Sequence, residues 1–422
     1  MSETFQPPRG TRDFLPQEMA GRRKAFEKIR KVFDAYGYGE VSTPAFEDFE
    51  LLSKKSGPDI ENEIYAFEDK AKRKLGLRFD PTVPICRIVA SNPSLPKPIK
   101  FCYITNMWRY DRPGAGRWRE FWQSGVELIG PSGPEADAEM LAIVSDSLKA
   151  LGLKDFYFRI SSRKVVDSFV QKVGIPAEKI PDVFRCIDKL EKIGEKAVLT
   201  EMSARGIDED KAERLMKLVS SGSAKGPEAD ELSQIKKVAR AMGAKDVRID
   251  LSVVRGIDYY TGFVFETMVK GSENLGSVAS GGRYDKLIGI YSGNDVPATG
   301  YGMGIDRLME IMKAEKAGGM VEAPPAVKAF VVCVNDAVKG HALTLTQALR
   351  AAGISSETEL MGRGLRKQLE YAGKKAAPYV VIVGPREVKE KKFTLRDMKS
   401  GKESKLSLTV IIQKLKKAKA GN

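Results

Sequence analysis

The chain has 422 residues, enough for two or three domains with full-sized cores, and carries a formal net charge of +14. With 42% hydrophobic and 30% charged residues it is globular; no apolar run reaches the roughly eighteen residues of a membrane span, and Met-Ser-Glu-Thr-Phe-Gln-Pro-Pro lacks a secretion pattern, so a cytoplasmic chain with no membrane partner is expected. Cys86, Cys102, Cys186 and Cys333 are scattered without a C-x-x-C pair and His341 is the one histidine, which excludes a disulfide frame and most His-based catalysis or metal binding and leaves the chemistry to run on charge, with no protein-borne metal site.

Residues 8–16 are a Pro- and Gly-punctuated lead-in, after which Pro16 opens a helix whose apolar positions Met19, Phe26, Ile29, Val32, Phe33 and Tyr36 recur at helical spacing up to Gly37. Residues 38–44 read as a strand entering a bend at Pro44, a residue that marks an edge or an interface. Asp80 and Thr82 lie two residues apart. If extended they offer a carboxylate and a hydroxyl to an ammonium group; equally, Asp80 closes an Asx-type turn before a helix that starts near Thr82.

A long β-hairpin follows. Residues 101–107 are aromatic and β-branched, Pro113, Gly114 and Gly116 punctuate a tip bearing Arg109, Arg112, Arg117 and Arg119, and a second apolar run ends at Ile129-Gly130-Pro131. The period of two places Gln123, Gly125 and Glu127 on one face and Trp122, Val126 and Leu128 on the other. A buried polar row needs partners, so the hairpin fits a pocket for a small polar ligand beside a phosphate-bearing one, and fits as well an exposed hairpin with solvated arginines.

Residues 135–151 have helical periodicity closed by Gly152, and residues 156–160 return as a strand. Residues 165–245 are helical throughout, with breaks at 222–226, and read as an insertion into a sheet that resumes at 247–254. Three Gly-rich corners come next, at 255–260, 280–285 and 300–307, each near an arginine, as a site needs when backbone approaches a ligand while guanidinium groups clamp phosphate. Residues 319–326 are a linker by composition. Beyond it, strand 327–334, helix 337–352, helix 365–372 and strand 379–383 indicate a small α/β domain. Residues 327–422 hold 20 Lys and Arg against 8 Asp and Glu, a net +12, which fits a nucleic-acid partner or, more simply, a solvated lysine-rich face.

These segments resemble the histidyl-tRNA synthetases of class II along essentially the whole chain. The Pro44 region resembles motif 1, Arg109 through Glu127 motif 2, and Gly302-Met-Gly-Ile-Asp-Arg307 motif 3; Arg255-Gly-Ile-Asp-Tyr-Tyr260 with Phe265-Glu266, and Ser280-Gly-Gly-Arg-Tyr-Asp285, resemble elements peculiar to the histidyl enzymes. Periodicity alone supports only mixed α and β. The resemblance implies an α+β fold: an antiparallel six-stranded catalytic sheet with flanking helices over 1–164 and 246–318, a helical insertion over 165–245, and a C-terminal α/β anticodon-binding domain over 327–422, in a homodimer built through motif 1.

It implies ATP-dependent activation of L-histidine and its transfer to tRNA(His), with ATP as substrate and Mg²⁺ on the phosphates. Arg109 would hold the α-phosphate and the amino-acid carboxylate, Arg307 and Phe121 the adenine with Arg307 also on the γ-phosphate, and Arg255 would be the catalytic cation. Asp80, Thr82 and Gln123 would grip the histidine α-amino group, Glu127 and Tyr260 its imidazole, with Tyr259 beside them, and Arg117 and Arg119 would meet the tRNA acceptor end. Asp306 stands where many members have Glu, and Pro81 where another residue is common. A non-catalytic paralog acting as a regulatory subunit or uncharged-tRNA sensor is the alternative; such proteins erode the signature residues that are all present here.

Overall fold

The computed structural model describes residues 5–54, 58–114, 116–255, 259–315, 317 and 327–418, without side chains at 58–60. The first helix runs Pro16–Ala35 and buries Phe26, Ile29 and Phe33, one stripe of the expected pattern, with Gly37 at φ 76° turning the chain out of it. The strand expected over 38–44 shrinks to β1 (Gly39–Glu40). A small three-stranded sheet follows, made of β2 (Phe46–Asp48), β3 (Ala66–Glu68) and β4 (Lys74–Leu77) in the order β2-β4-β3. The segment around Asp80 then leads into a helix, Thr82–Ser91.

The hairpin arms are β5 (Ile99–Trp108) and β6 (Glu120–Ile129), paired antiparallel over their full length. After the helix Pro134–Leu151 come β7 (Phe156–Ser162), then five helices between residues 163 and 241, then β8 (Val247–Ile249), β9 (Phe263–Val269), β10 (Ala279–Arg283) and β11 (Ala298–Gly304). These join in one sheet of order β1-β5-β6-β11-β10-β9-β7-β8. Its six central strands are antiparallel throughout, as expected, and short parallel strands β1 and β8 extend the two edges. The helices 16–35 and 134–151 cover one face, where Phe26 stacks on Trp122 at 5.2 Å between ring centroids and Val126 and Leu128 join the main core. Apolar residues of the helical run, among them Val183, Leu215 and Leu232, belong to that same core.

Three expectations need correction. The strand over 247–254 stops at Ile249, because Asp250 Oδ1 accepts from the backbone N–H of Ser252 at 3.1 Å and from its hydroxyl at 2.6 Å and so turns the chain. Residues 280–285 and 300–307 are not corners: their glycines sit inside β10 and β11, in the middle of the sheet. The third Gly-rich segment has 256–258 outside the described residues, as are 318–326, where the linker was expected.

The chain folds as two compact units, residues 1–321 and 322–422. In the second, β12 (Ala329–Cys333), β13 (Ser356–Thr358), β14 (Tyr379–Val383), β15 (Phe393–Asp397) and β16 (Glu403–Leu406) form a sheet of order β13-β12-β14-β15-β16, parallel for the first three strands and antiparallel beyond. Every residue of β12 is buried because both faces are covered: Val331 and Cys333 pack with Leu345 and Ile411, and Phe330 and Val332 with Ala372.

Candidate active site

The register of the main sheet builds a floor of small residues. Across β5, β6, β11, β10, β9 and β7 the row Tyr103, Gly125, Gly302, Ser280, Glu266, Arg159 stands in line on the face opposite the helices, and the next row contains Glu127 and Gly300. Longer side chains lie across the glycines. A Cβ on Gly302 would strike the Gln123 amide, one on Gly300 the Glu127 carboxylate, and one on Gly125 the Tyr103 hydroxyl and the Tyr301 carbonyl. The glycine motifs thus serve close approach within a sheet, where a composition-based reading places turns.

A pocket opens above this floor. Asp80, Thr82, Arg109, Gln123, Arg255, Tyr259 and Tyr260 all line it, together with Tyr103, Ser280, Tyr284 and Tyr301. The turn reading of the Asp80 segment holds, since Asp80 Oδ1 accepts from the Val83 N–H at 3.2 Å at the start of the helix, and the Tyr259 hydroxyl donates to Oδ2 at 3.5 Å from the pocket side. Glu127 lies just behind the lining, 1% exposed. Its Oε1 accepts from the Thr82 hydroxyl at 2.7 Å and its Oε2 from the Tyr284 hydroxyl, and each oxygen keeps a lone pair for another donor. Burial pushes the Glu127 carboxyl up to about 8, against the two hydroxyl bonds, and burial likewise raises Asp80.

The cationic side is held as firmly. Arg109 Nε donates to the Phe79 carbonyl at 3.1 Å, with its guanidinium 5.4 Å from the Phe121 ring centroid. Arg255 adopts φ 60°, a left-handed conformation that costs a non-glycine residue of order 1 kcal/mol or more, and its Nη1 donates to Glu266 Oε1 at 2.7 Å. Burial opposes its charge, but Glu266 prevails and keeps Arg255 more firmly protonated than usual. Phe121 and Arg307 stand outside the lining; Arg307 Nη1 donates to the Ser277 carbonyl while its buried Nε has no partner. At the hairpin tip Arg117 pairs with Asp111 at 3.0 Å, and Arg119 donates to the Asp111 carbonyl at 3.1 Å and lies 4.1 Å from the Tyr110 ring centroid.

Asp306 serves the fold. It is buried, takes Arg12 at 2.7 Å and Arg22 on Oδ1, and takes the Trp122 N–H on Oδ2 at 2.7 Å, so it ties the lead-in segment and the first helix to β6. The lead-in also reaches the tip, where the Arg119 N–H donates to the Gly10 carbonyl at 2.7 Å and Arg12 stacks 4.3 Å over Trp118. Tyr284, Tyr103 and Ser280 were given no site role from sequence, although Ser280 and Tyr284 belong to a segment singled out there. For Ser280 and Tyr284 a signal was available, since both lie in the Ser280–Asp285 segment; Tyr103 joins them only through the strand register.

A sequence profile described as "Histidyl-tRNA synthetase" matches residues 10–308. The chain belongs to the histidyl-tRNA synthetase family. A second profile, "Anticodon binding domain", matches residues 328–418, so the α/β unit that ends the chain is an anticodon-binding domain. Among histidyl-tRNA synthetase relatives, the histidine–tRNA ligase of Thermococcus kodakarensis is 40% identical over 416 residues, covering 94% of this chain and 95% of its own. That of Pyrococcus horikoshii is 40% identical over 427 residues, covering 97% and 98%. The crystal structure of histidyl-tRNA synthetase from a Nostoc species superposes with a TM-score of 0.78 at 29% identity, over 98% of this chain and 99% of that one.

Proposed function

We propose that this pocket is where the enzyme joins histidine to ATP. The chain is a histidine–tRNA ligase: it activates histidine as the adenylate, releasing diphosphate, and passes the histidyl group to the 3′ end of tRNA(His). One observation supports the residue assignment above others. Two buried carboxylates, Asp80 and Glu127, and two guanidinium groups, Arg109 and Arg255, converge on one small space. Histidine matches that set of charges: its α-ammonium group and its ring N–H each suit a carboxylate, and its α-carboxylate suits a guanidinium group.

In this reading Asp80, Thr82 and Gln123 take the α-ammonium group, for which the partnerless Gln123 Oε1 is a ready acceptor. Glu127 takes an imidazole N–H, and Tyr260, with Tyr259 against it at 4.8 Å between ring centroids, faces the ring. Arg109 orients the histidine carboxylate against the α-phosphorus. A carboxylate oxygen attacks in line, the bond to diphosphate breaks, and charge builds on the α-phosphate oxygens, where Arg255 stands. Phe121 and Arg307 hold the adenine and outer phosphates. Among the described residues no group of three His, Cys, Asp or Glu side chains could cage a metal, and Mg²⁺ bound through phosphate oxygens and waters fits that donor set, entering as the Mg²⁺·ATP substrate.

The same reading assigns Arg117 and Arg119 to the tRNA acceptor end, 1–164 and 246–318 to the catalytic domain, 165–245 to an insertion and 319–326 to a linker. A homodimer through the motif 1 region is supported by Phe46 and Phe67, 50% and 41% exposed and packed edge to face at 6.1 Å on the small sheet. A cytoplasmic location is supported by four free, buried thiols, and no helix among the described residues is long and apolar enough to cross a membrane. ATP–diphosphate exchange across amino acids tests the pocket. Histidine is expected to support it, and analogues that leave Glu127 unpaired to be rejected by roughly four to five powers of ten. Equal exchange with glycine, threonine or proline overturns the assignment.

A further inference from the structure

Arg255 does not stand alone on Glu266. The second oxygen of that carboxylate faces Arg159 Nη1 at 3.6 Å, and Arg159 lies directly across from Glu266 in the register of β7 and β9. Arg159 is itself 8% exposed and fully engaged: its Nε meets Asp250 Oδ2 at 2.8 Å, its Nη2 donates to the Ser252 hydroxyl at 3.2 Å, and its Nη1 also pairs with Glu191. Glu191 belongs to another part of the chain. It sits in the first turn of the helix Leu190–Ala204, within the helical run, and Gly194, at φ 77° and ψ 162°, breaks that helix three residues on. The turn carrying Glu191 is therefore set apart from the helix that follows; Leu190 packs it against the main core, and the Glu191 carboxylate, 61% exposed, reaches Arg159 on the sheet.

We propose that Glu191 and Arg159 are positioning residues for Arg255, so that the helical run between residues 163 and 241 is coupled to adenylate formation through the ion-pair chain Glu191, Arg159, Glu266, Arg255. This rests on the reading of Arg255 as the cation at the α-phosphate. Three carboxylates, those of Glu191, Asp250 and Glu266, surround two guanidinium groups. Neutralising Glu191 leaves Arg159 free to draw Glu266 toward itself and away from Arg255. Because Arg255 already occupies a strained backbone conformation, its guanidinium has few other ways to stay on target. The coupling is reciprocal: whatever shifts the turn at Glu191, tRNA contact with the helices included, alters the placement of Arg255.

The test is a double-mutant cycle in the full chain, read as histidyl-adenylate formation with kcat, KM for histidine and ATP, and the unfolding midpoint on each preparation. Glu191→Gln is expected to lower kcat roughly three- to thirtyfold with both KM values within about twofold and the midpoint unchanged. Arg159→Lys is expected to act in the same direction, and Glu195→Gln, just beyond the break at Gly194, to have no effect. In an Arg255→Ala background, Glu191→Gln is expected to cost nothing further. Full kcat in Glu191→Gln, an equal loss in both backgrounds, or a loss that tracks a lowered midpoint overturns the coupling. If Arg255→Ala alone keeps the full rate, the catalytic reading of Arg255 falls and the proposal with it; a slow Arg255→Ala beside a normal Glu191→Gln overturns the coupling only.

Discussion

A carboxyl pushed up by burial and a strained arginine kept charged by its ion pair divide the pocket into two kinds of chemistry. Glu127 shifts from the ordinary 4.5 to about 8 in the folded protein. Between those values the folded chain keeps a proton that the unfolded chain has released, so this group's contribution to stability falls as pH rises, by about 1.4 kcal/mol per pH unit. Glu127→Gln is expected to flatten that slope, so that denaturant midpoints of wild type and variant lie close at pH 5 and the variant is the more stable at pH 8. A wild type that loses no more stability than the variant across that range would show that Glu127 is already ionised. If Arg255 is the cation at the α-phosphate as proposed, it acts only once charge develops, and Arg255→Ala is expected to cut adenylate formation by about two to three powers of ten, with histidine binding and the unfolding midpoint nearly unchanged. A lowered midpoint with a normal rate per folded molecule would make Arg255 a structural residue instead.

At the scale of elements, the hairpin and the lock behind it hold the site in shape. Alternation along β6 sorts Gln123 and Glu127 from Trp122 and Val126, and that much was legible because a period of two needs only one strand. The rows of the floor were not legible. They depend on which strand lies beside which, and β6 pairs with β11, some 170 residues later, so Gly300 and Gly302 looked like turn residues. The role of Asp306 was not legible for a similar reason: its partners Arg12 and Arg22 lie 294 and 284 residues earlier in the chain. Arg22 is 1% exposed, and Asp306→Ala would leave it with no anion. A loss of about 3–5 kcal/mol is expected in urea unfolding, the usual result of breaking one side of a buried pair. Stability within about 1 kcal/mol of wild type would mean that Asp306 is dispensable to the lock.

At the scale of the molecule, charge and core are distributed differently. Residues 1–321 bury the main sheet, while residues 322–422 have their own two-faced core and most of the net positive charge. The break in composition and the strand-helix-strand pattern made the second unit legible in outline; short β13, β15 and β16 escaped because three to five residues carry too little periodicity. A chain ending at Val321 is expected to keep histidine-dependent diphosphate exchange but to charge tRNA poorly, through weakened tRNA binding. For the full chain, log K for tRNA should fall linearly with log salt, as counterion release requires. Light scattering on the shortened chain has to precede the kinetics, since loss of a dimer would mimic loss of the domain. A shortened chain of unchanged oligomeric state that charges tRNA as well as the full chain removes tRNA binding from this unit.

The glycine floor also bears on redesign. A pocket is commonly enlarged by trimming side chains beneath the ligand, but Gly125, Gly300 and Gly302 have nothing left to trim, and the groups resting on them fill the space that a Cβ would take. Room for a bulkier amino acid, such as a ring-substituted histidine for incorporation into proteins, has to come from the walls, where Tyr103, Tyr259, Tyr260 and Tyr284 stand. Two of those rings are tied to the carboxylates proposed to recognise histidine, Tyr284 to Glu127 and Tyr259 to Asp80. With Tyr260 facing the imidazole in the proposed reading, that leaves Tyr103 as the position where a directed library can gain volume without first unmaking the selectivity it sets out to change.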